Sequence, residues 1–124
     1  MKSRVLIVDD SDMIRNFHSY ILQNAGFKIT TAIDGADALE KIYTSDEPWN
    51  MIITDINMPN MDGYVFIERL REDPNYENTP VIIISTEDEL KDKNKGFEVG
   101  ANLYIVKPTD PDVLLENIYM LLGE

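Results

Sequence analysis

Four runs in this chain are apolar throughout, Val5 to Val8, Met51 to Ile53, Val81 to Ile84 and Leu103 to Val106, and they restrict its fold more than any other feature. A strand with one wet face alternates apolar and polar residues. A strand with no polar position is covered on both faces, which is the environment of a parallel sheet. A fifth run, Lys28 to Ala32, mixes polar and β-branched residues and reads as a half-covered edge strand.

Between the runs, apolar residues recur at helical spacing: Ile14, Phe17, Ile21 and Leu22; Ala36, Leu39, Ile42 and Tyr43; Val65, Phe66 and Leu70; Val113, Leu114, Ile118, Leu121 and Leu122. Ser11 and Asp62 stand where helix caps are needed, Gly26 follows the first helix, and Pro111 suits a first helical turn. A segment from Asp88 to Val99 is the weakest helix, with Leu90, Phe97 and Val99 as its apolar anchors and Lys91, Lys93 and Lys95 among them. The strand-helix alternation recurs at spacings of about twenty to thirty residues, without a linker or low-complexity stretch. The expectation is one α/β domain over residues 1–124, a doubly wound five-stranded parallel sheet. Its right-handed crossovers bring all strand-to-helix loops to one edge, where ligands of such sheets bind.

That edge collects an unusual set of side chains. The first strand delivers Asp9 and Asp10, the third Asp55, the fourth Ser85 and Thr86, and the fifth Lys107 followed by Pro108. Each acid alone would read as a cap or turn residue; their convergence is what a turn does not explain. Three carboxylates held together repel one another unless a cation joins them. With oxygen donors and neither histidine nor cysteine, the donor set favours Mg2+, with Mn2+ possible, over zinc. Lys107 and Ser85 would suit a phosphoryl oxygen, and Asp55 is the candidate nucleophile, because carboxylates can attack phosphorus to give an aspartyl phosphate.

With these residues in hand, the chain resembles the receiver domain of two-component response regulators, close to the single-domain chemotaxis type. The motifs are the acidic pair in I-V-D-D, the acceptor in I-I-T-D-I-N-M-P-x-M-D-G, the hydroxyl in I-I-I-S-T-E, and V-K-P. The resemblance implies a flavodoxin-like (βα)5 fold with strand order 2-1-3-4-5, Asp55 as phosphoacceptor, and Asp10 and Asp55 as direct magnesium ligands. It further implies that Asp9 holds the ion through water and the Asn57 carbonyl directly. By the same resemblance Ser85 is the switch hydroxyl, Lys107 its phosphoryl-pairing cation, Tyr104 an aromatic that changes rotamer, and Lys107-Pro108 a cis bond. Thr86 stands where the family commonly has a smaller residue, so access to Asp55 is expected to be narrower. The implied partners are a histidine kinase or phosphotransfer protein and a downstream protein target, met through the face of the fourth helix, fifth strand and fifth helix.

Composition supports this reading by exclusion. The net charge of −12, from 23 acidic and 11 basic residues, repels nucleic acid and anionic membranes. The absence of cysteine and of a membrane-length apolar run gives a cytoplasmic expectation. The alternative is a magnesium-dependent phosphohydrolase acting through an aspartyl phosphate. Such enzymes place an acid two residues after the nucleophile, where this chain has Asn57, which cannot transfer a proton at neutral pH; the expectation is therefore a signalling domain and not an enzyme. A flavin carrier on the same sheet is disfavoured because D-D-S-D would set three carboxylates against a flavin phosphate. His18, the one histidine, is expected away from the strand ends in a structural or surface role, and Trp49 as a packing residue.

Overall fold

The computed structural model describes residues 3–123. Five strands, β1 (Arg4–Val8), β2 (Lys28–Ala32), β3 (Met51–Thr54), β4 (Val81–Ser85) and β5 (Leu103–Val106), alternate with α1 (Asp12–Asn24), α2 (Gly35–Thr44), α3 (Gly63–Arg71), α4 (Leu90–Val99) and α5 (Pro111–Leu122). All pairings are parallel and the order is β2-β1-β3-β4-β5. The doubly wound flavodoxin-like sheet expected from the sequence is the observed fold. Among the described residues no helix is long and apolar enough to cross a membrane.

The alternation of side chains along each strand makes two cores. Leu6, Val8, Ile52, Val81 and Ile83 face α2 and α3, whereas Val5, Ile7, Met51, Ile53, Ile82 and Ile84 face α1 and α5. β1, β3 and β4 are buried almost throughout, as runs without polar positions require. β5 departs from the expectation: its four residues are only partly buried, because it lies at the open edge of the sheet. Its apolar composition therefore leaves a half-covered apolar edge flanked by α4 and α5.

The helical arcs also correct the sequence reading. In α1 the inward line runs through Ile14, His18, Ile21 and Leu22, so His18 is buried and Phe17 turns outward. Ala36 and Tyr43 in α2 and Val65 in α3 also lie outside; Ala38 and Ile67 take the covered positions. Adjacent residues of a helix point about 100° apart, so only one of a pair such as Phe17 and His18 can face the sheet. Tyr119 packs on Phe27 with ring centroids 5.9 Å apart, whereas Met120 is exposed. Trp49 is buried with the Arg4 guanidinium over its ring.

α4 begins two residues later than expected, and its N-cap, Glu89, makes no side-chain cap bond. Leu90 and Phe97 are exposed, so they are not the anchors the sequence suggested, and Gly96 is its one buried residue. A Cβ at Gly96 would stand 2.8 Å from Ile83 Cδ1 and 3.2 Å from Tyr104 Cδ2. The missing side chain is what lets α4 lie against the sheet. Arg71 closes the opposite end, donating to the carbonyls of Tyr76, Thr79 and Gly100 and to Asn102 Oδ1, a fork that ties α3 to the start of β4 and the end of α4.

Candidate phosphoryl and metal site

Each candidate side chain is brought to the carboxyl edge by the end of its strand. Asp55 follows β3, and its backbone N–H donates to the Val8 carbonyl at 2.9 Å, which sets it beside the end of β1. Asp9 N–H in turn donates to the Ala32 carbonyl of β2. Gly63 begins α3 directly against this point: its N–H donates to the Ile56 carbonyl at 2.8 Å, and an added Cβ would run into the carbonyl oxygen of Asp55. The D-G pair at Asp62 and Gly63 thus serves two purposes, since Asp62 caps α3 through the Val65 N–H.

Asp9, Asp10 and Asp55 present carboxylate oxygens that all lie within 4.8 Å of one another. Asp9 is buried, Asp55 is nearly so at 9% exposed, and Asp10 is exposed, so the group opens to solvent on one side. Lys107 Nζ lies 3.0 Å from Asp9 Oδ2 and 3.0 Å from Asp55 Oδ2, bridging the two buried acids. The free oxygens are also engaged: Asp9 Oδ1 accepts from Ser11 N–H at 2.9 Å, and Asp55 Oδ1 from Ile56 N–H at 2.7 Å. Arg15, which the sequence reading did not single out, donates to the Asp9 carbonyl at 2.7 Å while its charge is paired with Asp12.

Burial lifts the Asp55 carboxyl above its ordinary value, and the Ile56 N–H and the Lys107 ammonium offset that only in part. Lys107 would be lowered by burial, but its hydrogen bonds to Asp9 and Asp55 and their charges more than compensate, so the ammonium is held above its ordinary value. A single lysine between three acids leaves the group with excess negative charge. An all-oxygen donor set of that charge, open on one side, fits a hard divalent cation.

The remaining candidates surround this group. Ser85 is fully buried and its Oγ accepts from the Glu87 N–H at 3.1 Å. Thr86 is exposed. The Asn57 side chain is exposed and donates through Nδ2 to Glu87 Oε1 at 2.8 Å, joining the loops after β3 and β4. Tyr104 is half-buried and its hydroxyl donates to the Glu87 carbonyl at 2.7 Å. Tyr64 donates to the Asp92 carbonyl at 3.1 Å, with Lys95 4.6 Å above its ring. Two phenols thus hold the start of the uncapped α4. The Lys107-Pro108 bond is cis.

Over residues 5–119 the sequence matches the profile described as the response regulator receiver domain. The chain belongs to this family. The receiver domain is similar to Protein PilG of Pseudomonas aeruginosa, 41% identical over 112 residues that cover 90% of this chain and 82% of that protein. It is similar also to Chemotaxis protein CheY1 of Helicobacter pylori, 34% identical over 121 residues covering 97% of each chain. Among solved structures, that of the chemotaxis response regulator CheY4 of Vibrio cholerae superposes with a TM-score of 0.90 at 38% identity, over 98% of this chain and 99% of that one. This is a two-component signalling domain and not an enzyme, and such a domain implies a histidine kinase partner.

Three residues of the receiver site escaped the sequence reading besides Arg15. Glu87 shapes the mouth through Asn57 and Tyr104. Asp34, 3% exposed, caps α2 through Asp37 N–H and accepts from Asn60 Nδ2 at 2.8 Å, while Asn60 has a left-handed φ of 66°. This pair fastens the loop after β3 to the turn after β2. The D-G at Asp34 and Gly35, repeated at Asp62 and Gly63, was a legible signal for a cap but not for the bridge.

His18 is not remote from the strand ends, as the sequence suggested; its Nε2 lies 3.4 Å from Thr109 Oγ1. Burial lowers its pKa to about 4, with Asp9 opposing and Lys107 adding to the shift. The unfolded chain takes up this proton near pH 6.5 and the folded protein only near pH 4, so acid favours the unfolded state across that window. We expect stability to be unaffected by His18 above pH 6.5 and to lose roughly 3 kcal/mol as pH falls to about 4. Urea denaturation at several pH values, wild type against His18→Leu, checks it: the difference in stability between the two should shrink toward acid.

Proposed function

We propose that Asp55 is the residue that accepts the phosphoryl group, with Mg2+ held by Asp9, Asp10, Asp55 and the backbone of Asn57. The observation that carries this is the position of β3 between β1 and β4. Asp55 alone has the acid pair on one side and the Ser85 hydroxyl strand on the other, with Lys107 within 3.0 Å. Magnesium would neutralise the negative charge that otherwise opposes approach of a phosphoryl donor.

The donor is an N-phosphohistidine of a histidine kinase or phosphotransfer protein. A carboxylate oxygen of Asp55 attacks phosphorus; the P–O bond forms as the P–N bond breaks, and the departing imidazole keeps that electron pair and takes up a proton. Lys107 then holds a phosphoryl oxygen, and Ser85 Oγ, released from the Glu87 N–H, donates to another. Incubation with acetyl phosphate and magnesium should add one phosphoryl mass, and chelation should prevent it. An adduct that forms equally well in excess chelator would overturn the assignment.

Transmission runs through α4. A phosphoryl group adds charge of about −1.5 to −2 and three acceptor oxygens, so the Ser85 hydroxyl gains a reason to turn away from Glu87. Glu87 also receives the Tyr104 hydroxyl through its carbonyl. Turning Ser85 therefore disturbs the Tyr104 contact and the uncapped start of α4 together. Under this reading a cytoplasmic protein target distinguishes the two states at the face of α4, β5 and α5. Amide hydrogen exchange with and without beryllofluoride should change most over residues 88–106 and least over α2; changes confined to the loops of Asp9 and Asp55 would leave a phosphate site without a switch.

A further inference from the structure

The turn carrying Lys107 is fixed at both ends by bonds that leave its middle to one side chain. Lys107 N–H donates to the Ser85 carbonyl at 2.8 Å, and Asp110 caps α5 through the N–H groups of Asp112 and Val113. Of the residues between them Pro108 is exposed and Thr109 is buried. Thr109 is 8% exposed and His18 2%, and the two meet across 91 positions of sequence.

We infer that His18 is a positioning residue for Lys107: by holding Thr109 Oγ1 from α1, it fixes the turn that aims the ammonium at Asp9 and Asp55. A buried imidazole and a buried hydroxyl are each poorly satisfied without the other, and the phosphoryl chemistry proposed for Asp55 and Lys107 makes no use of either. The neutral imidazole has one donor and one acceptor, so it can exchange a hydrogen bond with a hydroxyl where an apolar side chain would offer only contact. Lys107 has a long flexible stem and must bridge two carboxylates 3.0 Å from each. A turn left loose by even a fraction of an ångström would let one of those bonds lengthen, which is how a residue remote from the chemistry acts on it. The inference rests on the role proposed for Lys107.

The test compares His18→Leu, Thr109→Val, their double variant and Thr109→Ser in the full chain. The rate of Asp55 phosphorylation by acetyl phosphate at saturating magnesium should fall about fivefold in each of the first two, the equivalent of one neutral hydrogen bond. The double variant should fall no further than either single, because both remove the same bond. Thr109→Ser keeps the hydroxyl and should restore the rate. In the metal-free protein, the Lys107 ammonium resonance in proton-nitrogen NMR should be sharp in the wild type and Thr109→Ser and broadened in the other three. Losses that add in the double variant, or an unchanged rate and resonance in folded single variants, would overturn the inference. Lys107→Ala separates the two levels: if it also phosphorylates at the wild-type rate, the role of Lys107 fails, and if it alone is slow, only the His18 link fails.

Discussion

Replacing Asp55 by Asn should abolish phosphoryl uptake and at the same time make the metal-free protein more stable, by about 1 kcal/mol. The first effect follows from chemistry, because an amide is no nucleophile toward phosphorus at neutral pH and no neighbour can replace it in place. Asp9 and Asp10 follow β1, one strand further from the Ser85 hydroxyl, whereas Asp55 follows β3, which lies between β1 and β4. The second follows from the sign of the Asp55 shift. Burial raises its carboxyl above the ordinary value, so the folded protein holds the ionised form at a cost that the unfolded chain does not bear. That cost is present above the folded pKa and disappears as acid protonates the group. Asn at this position keeps an oxygen for the Ile56 N–H, and Lys107 keeps Asp9 as a partner. Intact mass after incubation with acetyl phosphate and magnesium, with urea denaturation in chelator, measures both. A phosphoryl adduct of normal yield on Asp55→Asn would remove Asp55 from the mechanism; loss of stability would show that its charge is welcome in the fold.

The residues that could be read from sequence share one property: each stands where an apolar run ends. Asp9, Asp10, Asp55, Ser85 and Lys107 close strands, and in a parallel sheet that places them at one edge whatever the loops do. Their convergence follows from topology and needs no knowledge of side-chain conformation. Asp34 with Asn60, Asn57 with Glu87, and His18 with Thr109 are different, because each pair joins loops or a helix far apart in the chain. No local pattern announces such a contact. His18 shows the difficulty: next to Phe17, the periodicity alone favours burying the aromatic hydrocarbon. The helix rotates the other way, and the polar ring goes inward, where a buried hydroxyl lies 3.4 Å from it. β5 was misjudged for a related reason, since composition reports what a strand prefers and not whether a neighbour exists to cover its outer side. In α4 the exposed Leu90 and Phe97 show that the anchors were misplaced and that a glycine, Gly96, makes the contact.

Lys107→Ala should destabilise the protein in chelator by about 4 kcal/mol, and magnesium should recover most of that loss. The Lys107 side chain is 12% exposed, and the Asp9 and Asp55 side chains it bridges are 4% and 11% exposed, so removing it strands two carboxylates with little access to water. Breaking a buried pair by deleting one partner costs far more than the pair contributes, because the surviving charges keep their desolvation cost. Here two survive, side by side, and Asp10 adds a third within 4.8 Å. A divalent cation binding the same carboxylates would supply the lost positive charge without the competition of the ammonium. Magnesium affinity should therefore stay the same or increase in the variant, and the stabilisation it confers should grow with concentration as mass action requires. Phosphorylation, by contrast, should stay slow at saturating magnesium if Lys107 has the role proposed for it, because the ammonium that would pair with the phosphoryl oxygens is then gone and a cation held by the carboxylates would not replace it. The measurement is a series of urea midpoints for wild type and Lys107→Ala across magnesium concentrations, alongside phosphorylation rates. If magnesium restored the rate together with the stability, Lys107 would be no more than a counter-charge for the acids. If stability recovers and the rate does not, the lysine has a role at the phosphoryl group that the cation cannot take over.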